Sequence, residues 1–353
     1  MFWFRNLNLL ALCWCFCVVV FGAYVRLSDA GLGCPDWPGC YGHLTVPAPG
    51  HETRAAAERF PSRPVEAPKA WKEMIHRYLA EGLGFLIVLM ALIARFTGGD
   101  VMPRRLPWVL VGLVLFQGLL GMLTVTWQLK PLVVTGHLLG GMTTLALLLW
   151  MWLGVHRVPA AVVEDRPLRE SRSERQQWFA MQREAPESQG PAAPRALQFF
   201  AGLALVLLAA QIFLGGWTST NYAALACPDL PTCHGQWLPD IDAKGAYTLW
   251  RGLGVNYEHG VLDNRARVTI HLFHRIGAVV VATVLLLLGL YLRSREGWRA
   301  YGNALLAALA LQLALGIGIV LLQLPLLLAA GHNAGAALLL MTLVALNHRA
   351  HIP

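Results

Sequence analysis

Glu73-Met74-Ile75-His76-Arg77 stands at the mouth of an apolar run that reaches residue 96. Far downstream, His271-Leu272-Phe273-His274-Arg275 opens another such run, and His137 and His332 each lie inside an apolar run of their own. Ionisable side chains are costly within a bilayer, and where they occur they face a protein interior rather than lipid. Four histidines at matched places in two half-chains therefore point to a chain built twice, around something that needs imidazole inside a membrane.

The duplication extends outward from these motifs. Gly22 to Gly42 reads GAYVRLSDAGLGCPDWPGCYG and Gly215 to Gly235 reads GGWTSTNYAALACPDLPTCHG, so that Cys, Pro, Asp, Pro, Cys and Gly coincide without a gap. Gln117 and Gly121 match Gln312 and Gly316, and His137 matches His332 at the same offset. With four spans in each half the repeat is parallel, its axis along the membrane normal.

Composition sets the solvent. The 353 residues are 56% hydrophobic and 14% charged, whereas a soluble domain is nearer a quarter charged. Apolar runs of about 20 residues, enough to cross a hydrocarbon core, recur without the polar stripe of a surface helix. Spans are expected at 7–26, 74–96, 106–126, 131–153, 197–217, 269–292, 302–322 and 325–346, all helical because lipid leaves no partner for an open backbone. The fold expected is an all-α integral membrane protein of eight transmembrane helices arranged as two pseudo-symmetric four-helix bundles. Residues 1–155 form the N-terminal half, a polar, proline-rich 156–195 the cytoplasmic linker, and 196–353 the C-terminal half. The first run lacks a small-residue cleavage site and reads as a retained span.

Arg5, Arg95, Arg104, Arg105, Arg293, Arg295, Arg299 and Arg349 gather on one side, and Lys130 stands alone in the opposite short loop. The positive-inside rule then makes both termini cytoplasmic. The net charge of +8 sets topology; with no basic helix or aromatic-interleaved patch, nucleic acid is not expected as a partner, while membrane lipid is. No phosphate-cradling glycine loop follows a strand, and no Ser-His-Asp order is present.

The histidines carry the chemistry. His76 and His274 fall just inside the outer ends of their spans, and His137 and His332 follow Pro131 and Pro325 by a helical depth of roughly 10 Å. A pair in each half, facing inward from two neighbouring helices, would clamp a flat cofactor between axial imidazoles, as in b-type haem proteins. Histidines that merely bridge helices are the plain alternative, and zinc or copper another, although two ligands per half fall short of a closed zinc site. Gly136, Gly140 and Gly141 flank His137, and Gly331, Ala334 and Gly335 flank His332, either for close porphyrin approach or for helix packing. Arg77 and Arg275 suit haem propionates by their forked geometry, or are ordinary span-end arginines. Glu73 shares a helix face with His76, and its counterpart is His271, so the two sites are expected to do different work. Glu73 would move protons or steady developing charge; the alternative is a solvated interface carboxylate. The outer-loop cysteines, Cys34 with Cys40 and Cys227 with Cys233, are expected as disulfides that staple loops over the sites, ahead of a four-thiol metal site or a redox role. Cys13, Cys15 and Cys17 read as packing residues.

Taken together, Glu-x-x-His-Arg at 73–77, Gly-His at 136–137, His-x-x-His-Arg at 271–275, Gly-His-Asn at 331–333, the paired cysteines and the segments 254–257 and 262–267 resemble the haem A synthase family over nearly the whole chain. The resemblance implies haem B in the C-terminal half with His274 and His332 as axial ligands to its iron, and haem O as substrate between His76 and His137, with Glu73 important for the reaction. It implies oxidation of a ring methyl of haem O to a formyl group, by successive hydroxylation and loss of water from the gem-diol, giving haem A. A haem O synthase upstream, an electron donor and a haem A-type terminal oxidase downstream are implied partners, with room for a homo-oligomer. The location implied is the bacterial inner (cytoplasmic) membrane, haem sites toward the periplasm. Two other functions use the same ligands: a di-haem b-type electron-transfer protein and a haem chaperone or transporter. Only the synthase needs a chemically altered haem, and Glu73 opposite His271 favours an unequal pair.

Overall fold

The apolar runs are helices because a helix alone satisfies its own backbone polar groups within one segment in lipid. A computed structural model describes residues 2–97, 102–156 and 193–352; apart from its ends, the linker expected at 156–195 lies outside the described residues. The described residues form α1 (Phe2–Leu27), α2 (His51–Arg59), α3 (Ala67–Phe96), α4 (Leu106–Thr126), α5 (Pro131–His156), α6 (Arg195–Thr220), α7 (Ala243–Ala246), α8 (Asn264–Arg293), α9 (Arg299–Leu321) and α10 (Leu326–His351). All but α2 and α7 are long and apolar enough to cross a membrane. The protein is an all-helical, multi-pass membrane protein.

Several helices start earlier than the hydropathy places them, α1 at Phe2 rather than 7 among them. α3 begins at Ala67 rather than 74, and α8 at Asn264 rather than 269. The added turns of α3 and α8 hold Lys69, Lys72, Glu73, Arg265 and Arg267, which lower the hydropathy without breaking the helix. Pro68 occupies the first turn of α3, where its missing N–H costs nothing, and the Asp263 side chain caps α8 by accepting from Ala266 N–H (2.8 Å). His76 and His274 therefore lie roughly 14 Å along their helices, not just inside the ends.

Helices α1, α3, α4 and α5 pack in a ring, each on the next, and α6, α8, α9 and α10 pack in a second ring. Contacts between the rings run from α10 to α1 and α5, and from α5 to α6. One buried apolar cluster, from Phe4 to Ala350, draws side chains from both rings. Polar contacts stitch the seam: Asn333 Nδ2 donates to Val19 O (3.3 Å), and the Thr135 and Thr220 hydroxyls are 3.3 Å apart. Within each ring the helices bearing the paired histidines, α3 and α5 or α8 and α10, stand diagonally across rather than side by side. This corrects the expectation of neighbouring helices.

The duplication is written into the backbone. Left-handed φ values recur at Gln128 and Leu129 (50° and 60°) and at Gln323 and Leu324 (58° and 62°), and again at Tyr41 (55°) and His234 (52°). Few non-glycine residues adopt this region, and it recurs at repeat positions both where the residue is the same (Gln128 and Gln323, Leu129 and Leu324) and where it differs (Tyr41 and His234).

One outer contact is unequal. Lys130 is 1% exposed; its Nζ lies 2.9 Å from the centre of the Trp250 ring and donates to Gly252 O (2.7 Å). Tyr257 N–H donates to Gln128 O (3.0 Å), and Arg63 pairs with Glu258 (3.5 Å). Together these contacts strap the second outer loop onto the first half. A desolvated cation–π contact is worth about 2 kcal/mol. Lys130→Met is expected to lower the thermal midpoint in detergent and to open the loop to trypsin at Arg251; wild-type cleavage rates would show that the strap contributes nothing.

Candidate functional site

His76 projects from α3 and His137 from α5, and their ring centres stand 6.5 Å apart at an interplanar angle of 84°. That spacing would admit one ion between the two rings, since a metal–imidazole bond is about 2 Å. His76 Nδ1 and His137 Nδ1 are buried with no hydrogen-bond partner, a costly state for a ring nitrogen. In the second ring His274 and His332 occupy the matching positions, and His332 Nδ1 is also buried and unpartnered. Among the described residues no three His, Cys, Asp or Glu side chains converge on one point; the histidines meet in twos, a set that suits a cofactor bringing its own equatorial ligands.

Each of these four rings lies against a glycine. A Cβ would come within 2.8 Å of His76 Cε1 at Gly22, 3.7 Å of His137 Cε1 at Gly121, 3.2 Å of His274 Cε1 at Gly215 and 3.0 Å of His332 Cε1 at Gly316. Those glycines seat the imidazoles. The glycines beside His137 and His332 in sequence do other work: Gly140 and Gly335 make room for the amides of Gln117 and Gln312, Gly141 packs on Val19, and Gly136 and Gly331 on leucines. Of the two readings of these glycines, the contacts described are those of helix packing. The structure also brings in a residue that the sequence did not single out, Gln211, whose Nε2 is 3.0 Å from His274 Nδ1.

Disulfides close Cys34–Cys40 and Cys227–Cys233, and each loop is braced by its own aspartate. Asp36 accepts from the N–H groups of Tyr41 and Gly42, both at 2.6 Å. Asp229 accepts from those of His234 (2.6 Å) and Gly235 (2.9 Å) and from the Thr232 hydroxyl. The Thr232 hydroxyl, then the loop N–H groups, hold the Asp229 carboxyl at about 2, below its ordinary 3.8. A depressed folded-state value gives stability present above pH 4 and lost as pH falls toward 2. Amide exchange at His234 and Gly235 is therefore expected to accelerate over that window, and Asp229→Ala to remove the pH dependence; an unchanged profile in the variant would refute it.

The motifs at 73–77 and 271–275 anchor these loops. Cys34 N–H donates to Glu73 Oε2 (2.9 Å), and Arg77 donates to Glu73 Oε1. Arg77 also donates to the carbonyl oxygens of Asp36 (3.1 Å), Pro38 (3.1 Å) and Gly39. In the second half Cys227 N–H approaches His271 Nδ1 (3.2 Å), Arg275 Nε–H approaches His271 Nε2 (3.2 Å), and Arg275 donates to the carbonyl oxygens of Cys227 (2.7 Å) and Thr232 (2.8 Å). Both arginines turn their forks onto the loops. Glu73 is 5% exposed, which overturns the reading of a solvated interface carboxylate. The two halves differ in one respect that matters chemically. A carboxylate accepts from both neighbours and balances the arginine; a neutral imidazole has a single lone pair to offer and no charge. Arg77 is neutralised in direct contact with Glu73, whereas Arg275 has no carboxylate in contact among the described residues and feels only the more distant charge of Asp229.

The chain matches the cytochrome oxidase assembly protein family (COX15-CtaA) over residues 5–344. It is 45% identical over 331 residues to the Heme A synthase of Shewanella oneidensis, covering 94% of this chain and 92% of that protein. The Heme A synthase of Rhizobium leguminosarum bv. trifolii is 26% identical over 335 residues, 91% of this chain and 82% of that one. That of Shouchella clausii is 27% identical over 243 residues, two thirds (67%) of each.

Proposed function

The chain belongs to the cytochrome oxidase assembly protein family, and from that premise we propose that it is a haem A synthase, an oxidoreductase that converts a ring methyl of haem O to the formyl group of haem A. The observation that carries the reading is the pairing of two buried imidazole sites under matched disulfide loops that differ at one anchor, Glu73 against His271. A duplicated scaffold with unequal halves suits one resident cofactor and one substrate.

In this reading the N-terminal half, 1–155, receives haem O between His76 and His137, and the C-terminal half, 196–353, holds haem B through His274 and His332. Haem B, when bound, supplies one-electron redox chemistry that no side chain can provide. Glu73 exchanges protons at Oε2 near the reacting methyl, while Arg77 holds Oε1. The loops closed by Cys34–Cys40 and Cys227–Cys233 keep water from the outer mouths, and the seated glycines hold the imidazoles inward. Arg275, whose charge is not balanced by His271, favours the propionates of a permanently bound haem; Arg77, balanced by Glu73, leaves the substrate easier to release.

The protein works in the bacterial inner membrane with both termini cytoplasmic and the sites toward the periplasm. The arginine-rich loops support that orientation, as do disulfides at the opposite end, which form in an oxidising compartment. A haem O synthase and an electron donor act upstream, and a haem A-type terminal oxidase takes the product.

The test is to purify the protein in detergent from cells that make haem O, extract its non-covalent haems and identify them by chromatography and mass. Haem B together with haem O or haem A is the expected result. Haem B alone in both sites would overturn the synthase reading in favour of a di-haem electron-transfer protein.

A further inference from the structure

His274 has a neighbour that His76 lacks. On α6, one turn before Gly215, Gln211 places its Nε2 3.0 Å from His274 Nδ1 and 2.9 Å from the His274 carbonyl oxygen, while its Oε1 is buried with no partner. The amide sits in a notch on α8, where a Cβ at Gly277 would overlap Oε1. In the repeat, Gly215 matches Gly22 and His274 matches His76, so the counterparts of Gln211 and Gly277 are Val18 and Leu79. An amide in a glycine notch in one half is thus replaced by two aliphatic side chains in the other. His76 Nδ1 has no partner, and Phe21 lies beside the ring at 6.4 Å between centroids.

We propose that Gln211 is a positioning residue for the C-terminal haem B, fixing His274 as a firm ligand, and that Val18 and Leu79 leave His76 a weaker one that releases its haem. The inference rests on the reading of His274 as an iron ligand. An imidazole bound through Nε2 keeps its proton on Nδ1 and needs an acceptor there. Gln211 supplies one when its amide turns over and presents Oε1, the atom without a partner in the present arrangement, giving up in exchange the bond that Nε2 donates to the His274 carbonyl oxygen. Such a partner fixes the tautomer and the ring orientation and makes the nitrogen a better donor, an effect of typically 10–100-fold in metal affinity. A better donor favours ferric over ferrous iron.

The experiment is a redox titration of the haem-B-loaded protein in detergent, with haem content per chain, for wild type, Gln211→Leu, Gln211→Glu and His274→Ala. Gln211→Leu is expected to weaken the ferric form about tenfold relative to the ferrous, a rise in midpoint potential of about 59 mV for one electron, and to shed haem faster. Gln211→Glu, of the same shape but a stronger acceptor, should lower the potential, and it keeps the proposal testable if the leucine variant fails to fold. A purely structural role would not move the two potentials in opposite directions. Wild-type potentials in both Gln211 variants, or shifts of the same sign, would overturn the proposal. If His274→Ala keeps wild-type haem content and spectrum, the ligand assignment itself fails, which is a distinguishable outcome.

Discussion

Glu73→Ala is expected to stall conversion, cutting haem A yield by about 10²–10⁴-fold, the range for a lost acid–base group, while haem B stays bound. Alanine alone is ambiguous, because it also leaves Arg77 buried and unpaired, a loss of about 3–5 kcal/mol, and frees the Cys34 loop. Two further variants separate the roles. Glu73→Gln keeps the shape and an acceptor for Cys34 N–H without the charge. Glu73→His writes into the first half the anchor found at His271 in the second. If the carboxylate works on the substrate, both lose conversion as fully as alanine does, with the loop still closed. If Glu73 only holds the loop, both retain activity and alanine alone fails. Full haem A yield from Glu73→Ala would end the proposal altogether.

His274→Ala and His332→Ala carry the second large effect. Each should reduce haem B per chain by more than about tenfold, since even outer partners of a metal ligand carry that much affinity, and should abolish conversion as a consequence. His76→Ala and His137→Ala should do the reverse: haem B is retained with its reduced-minus-oxidised spectrum intact, and haem O no longer co-purifies. The measurement is haem identity and stoichiometry in the purified variants. Loss of haem B from the His76 or His137 variants, with retention in the other pair, would exchange the assignments of the two halves.

Much of this was legible in the sequence, for physical reasons. Apolar length reports spans because lipid permits little else, and the Cys-Pro-Asp-x-Pro-x-Cys segments announce closed loops because their spacing suits a stapled turn. Other features needed coordinates. Hydropathy missed the first turns of α3 and α8, since Lys69, Lys72 and Arg265 make them polar while leaving them helical. Periodicity shows which face a histidine occupies but not which helix it faces, so the diagonal placement of His76 and His137 could not be read. Glu73 and His271 differ at aligned positions of the repeat, yet the attachment of Glu73 to the Cys34 loop is a contact across 39 positions of chain. Gln211 and Val18 stood aligned in the repeat, but a lone mid-span glutamine has no meaning until a ring nitrogen is found beside it.

The Lys130 strap bears on how such a chain became committed to its present form. Its repeat counterpart is Pro325, which has no amine, so the contact with Trp250 and Gly252 is made once and in one direction. Two identical copies meeting as equals would have to make it twice or not at all. Once Lys130 and the loop it receives had diverged, the halves were no longer interchangeable. The strap thus fixes which half supplies the outer loop and which receives it.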